Sequence, residues 1–193
     1  MSLEVRIIVL ILHLVAMLFM AAPLYMLIIV NERGRFAVPP GYNTDRYMEN
    51  IIKRQPIRCY AYMAVILITG ILLTWAKGWI WMDWALIAKL VVFALLLGLL
   101  SYVHFGIQPR IEKVLAGCKP GEEVAASERP TLVAWRRRRK RLAATCLFLV
   151  LTALIMGVRV TWGYAPWLVA VFMVAAALFA WRAYRKPVEF GWF

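Results

Sequence analysis

The stretch MDWALIAKLVVFALLLGLLSYVHFGI, residues 82–107, decides the fold of this chain. Between Trp84 and Ser101 it carries one charged side chain, Lys89, and its other residues are apolar or small. A helix needs about 20 predominantly apolar residues to cross the hydrocarbon core of a bilayer. The stretch therefore predicts a transmembrane helix.

Four other runs of similar composition flank this stretch. The 193 residues are 64% hydrophobic and 17% charged, with a mean hydropathy of +0.73, and a soluble domain of this size cannot bury so much apolar surface. The fourth and fifth runs are separated by Gly163–Pro166, which contains the usual turn formers. We predict an all-α integral membrane protein, a single domain over residues 1–193, folded as a five-transmembrane-helix bundle. The predicted spans are about 6–30, 57–76, 82–107, 142–161 and 165–184.

Basic residues are concentrated in two long connectors and behind the last span. All but four of the 23 lysines and arginines lie in these segments or at their edges. Positively charged loops stay on the cytoplasmic side of a membrane, so the connectors 31–56 and 108–141 are predicted to be cytoplasmic. The N-terminus is then outside and the C-terminus cytoplasmic. No organelle-targeting segment is visible, which favours a bacterial inner membrane.

The run Arg136–Arg141 holds six consecutive basic residues. Because the basic residues are confined to loops between apolar spans, their distribution indicates membrane topology rather than a nucleic-acid partner. We predict that the run contacts anionic lipid headgroups of the bilayer. Assembly as a homo-oligomer or within a larger membrane complex stays open.

Two ionisable side chains, His13 and Lys89, lie inside predicted spans. A charged group in the hydrocarbon layer costs a few kcal/mol or more, so such a residue indicates a functional site by default. Each lies about seven residues, or roughly 10 Å, below the outer end of its helix. We predict that the two share one site if their helices are neighbours. The alternative for Lys89 is that its stem carries the ammonium to the interface.

Three further residues are candidate ligands. Met17 and Met20 share a helix face with His13, and they are either soft ligands for haem iron or Cu(I) or ordinary packing. His104 lies about 22 Å beyond Lys89 along the same helix, so it cannot ligate the same metal atom as His13. It is either an interfacial histidine or part of a second site. The nearest carboxylate to Lys89 in sequence is Asp83, at the outer end of the third span, and the interior of the spans has none, which favours an anionic partner from a ligand, such as a porphyrin propionate.

The early histidine, together with Trp84 and Lys89 five residues apart in the third span, resembles the HemJ-type protoporphyrinogen oxidases and the related CopD-like membrane proteins. The resemblance covers roughly residues 5–160 and implies a compact bundle of helices that binds haem b. It implies that His13 is an axial haem ligand and that Trp84 and Lys89 line the porphyrin site and serve the reaction. The chain lacks an arginine late in the first helix and a histidine between Trp84 and Lys89, so the resemblance bears more on haem binding than on the oxidase reaction.

Three hypotheses for the function follow. The first is a haem b-binding redox protein of the inner membrane, which oxidises protoporphyrinogen IX in the fullest form of the resemblance. The second is a CopD-like copper carrier that uses His13, Met17 and Met20. The third is an accessory or assembly subunit of a respiratory or photosynthetic complex. Hydrolytic chemistry is unsupported, because the chain has no Ser/His/Asp set, phosphate loop or paired carboxylates.

Overall fold

The computed structural model describes residues 1–32, 42–78, 84–117, 119 and 124–185. Within these ranges the chain is helical, with turns and no strand. A π-helical turn, Tyr102–Ile107, joins α4 to α5 in one continuous helix. The helices are α1 (Leu3–Glu32), α2 (Tyr42–Lys53), α3 (Gln55–Ala76), α4 (Trp84–Ser101), α5 (Gln108–Ala116), α6 (Arg129–Trp162) and α7 (Pro166–Arg185).

Five segments of the described chain are helices long and apolar enough to cross a membrane, which confirms the predicted number. Their outward faces are apolar, as expected for surfaces against lipid: Leu18 and Phe105, for example, are 69% and 70% exposed. The five segments are Leu3–Leu24, Glu49–Ala76, Trp84–Ala116, Arg129–Trp162 and Pro166–Arg185.

The predicted connectors are more helical than their composition indicated. Residues 108–116 form α5, and α6 begins at Arg129, well before the expected start of the fourth span. Pro130 does not interrupt α6, because it occupies a first-turn position, where the missing N–H costs no hydrogen bond, and Pro109 is the second residue of α5, just after the π-helical turn. The connector 31–56 contains α2, and residues 33–41 lie outside the described ranges.

The long helix α6 is the centre of the bundle. Helices α1, α4 and α7 each pack against it, and α3 packs against α1. In contrast, α1 and α4 make little direct contact, so the first and third spans are not the neighbours that a shared site was expected to need. The main core lies between α1, α3, α4 and α6 and contains Ala16, Met17, Met20, Met63, Ile66, Val92, Leu96, Cys146, Val150 and Ala153.

The predicted hairpin between the last two spans is confirmed. The helix α6 ends where Gly163 adopts φ +65°, the left-handed conformation that glycine takes without steric cost. Its N–H donates to the Arg159 carbonyl over 2.8 Å and closes the helix end. The Tyr164 hydroxyl donates to the Ile155 carbonyl (2.9 Å) and holds the turn against α6.

A buried ion pair fixes the opposite end of the bundle, where α2, α5 and α6 meet. Arg139 donates to both carboxylate oxygens of Glu49, over 2.7 and 2.9 Å, and both side chains are fully buried. Arg139 also donates to Gln108 Oε1 (2.8 Å). Beside this cluster, Arg46 donates to Glu112 over 2.8 Å. Polar contacts thus tie the amphipathic helices to α6, an arrangement that the composition of the connectors did not reveal.

The basic run does not lie on the surface as a unit. Arg136, Arg139 and Lys140 are buried, whereas Arg137, Arg138 and Arg141 are exposed. The split follows from helical geometry, because positions i, i+3 and i+4 share one face and that face packs against the protein. The expectation that the whole run contacts lipid headgroups is therefore wrong for the three buried members.

Replacing Glu49 with Gln is expected to destabilise the protein by about 3–5 kcal/mol, because Arg139 then stays buried without a compensating charge. Thermal unfolding of the purified protein in detergent measures the effect. Glu128→Gln removes an exposed carboxylate and is the matched control, for which we expect no measurable change. Equal melting temperatures for Glu49→Gln and the parent protein would contradict the assigned role of the pair.

Candidate functional site

His13 and Lys89 meet, as the sequence predicted. His13 is buried on α1, with 4% of its surface exposed. Lys89 reaches across the gap from α4, and its Nζ lies 3.3 Å from His13 Nε2. The contact does not need packed helices, because the four-carbon stem of lysine bridges the separation that α6 imposes on α1 and α4.

A third residue, Thr69 on α3, fixes the tautomer of His13. The Thr69 hydroxyl donates to the Val65 carbonyl one turn earlier (2.6 Å). Thr69 Oγ1 also lies 2.8 Å from His13 Nδ1, and since its own proton is already used, Nδ1–H must be the donor. The network therefore assigns the proton to Nδ1 and leaves the lone pair of Nε2 to accept from Lys89.

Two glycines lie beside this pair, and Gly157 makes room for it. A Cβ at Gly157 on α6 would lie 3.3 Å from Lys89 Nζ, tighter than most contacts of a real Cβ atom. A Cβ at Gly70 on α3 would lie 3.5 Å from His13 Cε1, which is ordinary van der Waals contact. The structure thus places Gly157 beside the ammonium and Gly70 beside the imidazole.

The pair faces a cavity of about 250 Å³ between α1, α3, α4 and α6. Its walls are mainly aliphatic, and its charged lining residues are Arg6, Lys77 and Lys89. Lys77 donates to the Val160 carbonyl over 2.8 Å near the end of the bundle. None of the described residues that line the cavity is acidic. Apolar walls with several cations favour a ligand that combines an apolar body with anionic groups.

The structure separates the other predicted site residues. Met17 is buried and lines the cavity below His13, whereas Met20 is buried in the core and does not line it. Trp84 is 47% exposed and is not among the lining residues, so the expectation that it lines the site with Lys89 is not met. Five residues along an ideal helix correspond to a rotation of about 140°, which turns Trp84 away from the Lys89 face.

His104 lies apart from His13, as predicted, in the π-helical turn at the far end of α4. Its ring packs edge-on against Tyr60, with 6.0 Å between the ring centroids, and against Phe105. Its Nδ1 is buried and has no hydrogen-bond partner among the described residues. The histidine belongs to an aromatic cluster and shares no contact with the cavity.

Sequence reasoning missed Thr69 and Arg6. Thr69 is one of several threonines in apolar runs, and such residues commonly satisfy their hydroxyl on the preceding turn, so nothing marks it out. Arg6 lies at the outer end of the first predicted span, where a charge is common and does not by itself indicate a site. The signal available for it was its position seven residues before His13, two turns of helix and thus the same face.

Comparison of the chain with models of protein families, with curated proteins and with solved structures found no match. The chemistry of the site therefore has to be judged on its own residues.

Some features of the cavity fit a bound haem, and its volume does not. His13 offers a lone pair on Nε2 and donates its other ring N–H, which is the arrangement of metal-bound histidines. The cations could pair with propionates. A porphyrin is larger than the enclosed volume, so part of it would project from the cavity. The described residues contain no group of three His, Cys, Asp or Glu side chains that could hold a bare metal ion.

The tautomer of His13 can be tested by ¹⁵N-histidine NMR. The chain has two histidines, so His104→Gln leaves His13 as the one that is observed. We expect the protonated signal at Nδ1. Thr69→Val removes the acceptor, and an unpaired buried donor costs about 1–3 kcal/mol, so the tautomer ratio should shift at least about fivefold. Thr69→Ser retains a hydroxyl and should behave like the parent. Protonation at Nε2 in the parent would overturn the assignment.

Proposed function

We propose that this chain is a haem b-binding membrane protein with a redox role, and that His13 Nε2 is the axial ligand of the iron. The observation that carries the proposal is the hydrogen bond from His13 Nδ1–H to Thr69. It directs the Nε2 lone pair toward a cavity whose lining carries cations and no described acid. Haem supplies one-electron chemistry when it is bound.

The residues of the chain then have separate tasks. Thr69 holds the imidazole in the tautomer that leaves Nε2 available. Lys89 donates to Nε2 in the ligand-free site and pairs with a propionate when haem is bound, a change that its flexible stem and rotatable donors allow. Gly157 leaves the space that this ammonium needs. The aliphatic walls exclude water from the imidazole.

We further propose that the five helices cross a bacterial inner membrane with the N-terminus outside. The distribution of basic residues supports this orientation. The His13–Lys89 cavity then lies in the outer half of the bilayer. The family resemblance would extend the function to oxidation of a tetrapyrrole substrate. Since Trp84 faces away from the cavity, the geometry supports haem binding more than that reaction.

The two other hypotheses receive less support. A copper carrier would use His13, Met17 and Met20 together, yet Met20 packs in the core away from the cavity. An accessory subunit needs no cavity with a polarised histidine, although α7 packs mainly on α6, with Ala85 of α4 in the same core cluster, and leaves a broad apolar face for a partner. Purified protein that stays colourless after loading with haem would favour this hypothesis.

The haem assignment predicts a Soret band in the purified or haem-loaded protein. His13→Gln keeps a polar side chain and should lose the band, whereas His104→Gln, which changes the other histidine, should keep it. Absorption spectra of monodisperse samples measure this, and circular dichroism checks that each variant is folded. A Soret band of parental position and intensity in folded His13→Gln would rule out the assignment.

Pairing of Lys89 with a propionate can be separated from ligation by using haem dimethyl ester, which lacks the carboxylates. The parent should bind free haem at least about tenfold more tightly than the ester, because a charge-assisted hydrogen bond contributes about 1.5–3 kcal/mol. Lys89→Met should bind the two with similar affinity, and Lys113→Met, on α5 away from the cavity, should discriminate like the parent. Undiminished discrimination by Lys89→Met would show that the propionate binds elsewhere.

A further inference from the structure

A second recess lies at the opposite end of the bundle, along the line where α6 and α7 pack together. We call it the α6–α7 groove. It is open to the outside, encloses about 550 Å³ and has no connection to the residues of the His13 cavity. It is lined by Arg141, Ala144, Thr145, Phe148, Ala177, Ala180, Trp181, Tyr184 and Arg185.

The groove is basic at one end. Arg141 on α6 and Arg185 on α7 are both exposed and lie at the same end of the groove. The Arg185 guanidinium lies 4.9 Å from the centre of the Trp181 ring, so an aromatic wall holds it at the rim. None of the described residues that line the groove is acidic. The rim therefore attracts an anion.

The rest of the groove is mainly apolar, with Thr145 as a polar member of its lining. Its floor is formed by small side chains, Ala144, Ala177 and Ala180, with Phe148 at the far end on α6. From Arg185 to Ala177, and from Arg141 to Phe148, the helices extend about 10–12 Å. A ligand in the groove would thus contact the cationic rim at one end and an apolar surface of this length beyond it. The same two helices, α6 and α7, form both parts.

We propose that the α6–α7 groove binds one anionic glycerophospholipid, with its phosphate between Arg141 and Arg185 and the first part of an acyl chain on the alanine floor. Basic pockets between membrane helices are suited to such headgroups. Tyr184 and Trp181 stand at the level of the headgroup, where aromatic side chains are favoured. The site replaces the diffuse contact expected for the whole basic run, because Arg136, Arg139 and Lys140 are buried.

Charge complementarity favours a lipid over a second protein chain as the occupant of the groove. A second copy of the chain carries the same basic rim and a net charge of +13, so two copies repel each other at this surface. The phospholipid brings both the phosphate and the chain that the groove requires. The proposal is independent of haem binding, because the two recesses share no lining residue.

The test is thermal unfolding of delipidated full-length protein in detergent, titrated with dioleoyl phosphatidylglycerol, dioleoyl phosphatidylcholine or glycerol phosphate. Phosphatidylglycerol should raise the melting temperature in a saturable manner, and the other two should not. Arg141→Gln/Arg185→Gln should weaken the apparent affinity at least about tenfold. The matched control, Arg137→Gln/Arg182→Gln, removes one exposed arginine from each helix outside the groove and should retain the parental affinity.

A second pair of variants tests the apolar channel. Ala177→Phe fills the floor without a change in charge and should abolish the response, whereas Ala175→Phe, at an exposed position of α7 outside the groove, should not. Equal responses to the anionic and zwitterionic lipids would overturn the proposal. An undiminished response in Ala177→Phe would also overturn it, because the lipid would then be attracted by surface charge alone. A third contrary result would be a lipid response accompanied by dimer formation, as measured by the mass of the protein in solution.

Discussion

The contact between Lys89 and His13 bridges two helices that do not pack against each other. Because α1 and α4 both pack on α6, the bundle leaves a gap between them, and two polar side chains fill part of it. Aliphatic side chains would have closed that gap. Burial of a histidine and an ammonium together demands hydrogen bonds and space, and Thr69 and Gly157 supply these from two other helices. The cavity is the result.

Apolar periodicity and the depth of charged residues predicted much of this arrangement. The number of helices long enough to cross a membrane and the pairing of His13 with Lys89 followed from the sequence, because long apolar runs admit few alternatives and helix rise converts position into depth. Which helices touch was not predictable in this way. When a helix is apolar on all sides, its sequence does not indicate which face packs against which neighbouring helix. The central position of α6 and the direction in which Trp84 faces could therefore be learned only from the structure.

The polar segments were harder to predict than the spans. Glu49, Gln108 and Arg139 are 31 to 90 residues apart in pairs that hydrogen bond across helices, and no local pattern joins them. The spacing of Arg136, Arg139 and Lys140 did hold a signal, because these three share a helix face with the buried Leu132 and Ala143. Taken as one block of charge, the run 136–141 suggested an exposed surface. Helical periodicity instead divides it into three buried and three exposed residues.

The π-helical turn at Tyr102–Ile107 stands between two fixed points on one continuous helix. On one side Lys89 must face His13, and on the other Gln108 must face Glu49 and Arg139. In an ideal α-helix, the direction of each side chain is fixed by its position in the sequence. The direction of Lys89 would then determine the direction of Gln108. A turn with one extra residue adds a fixed offset, so that Lys89 faces His13 while Gln108 faces Glu49 and Arg139. The face that serves the cavity and the face that serves the ion pair therefore need not lie in line along the helix.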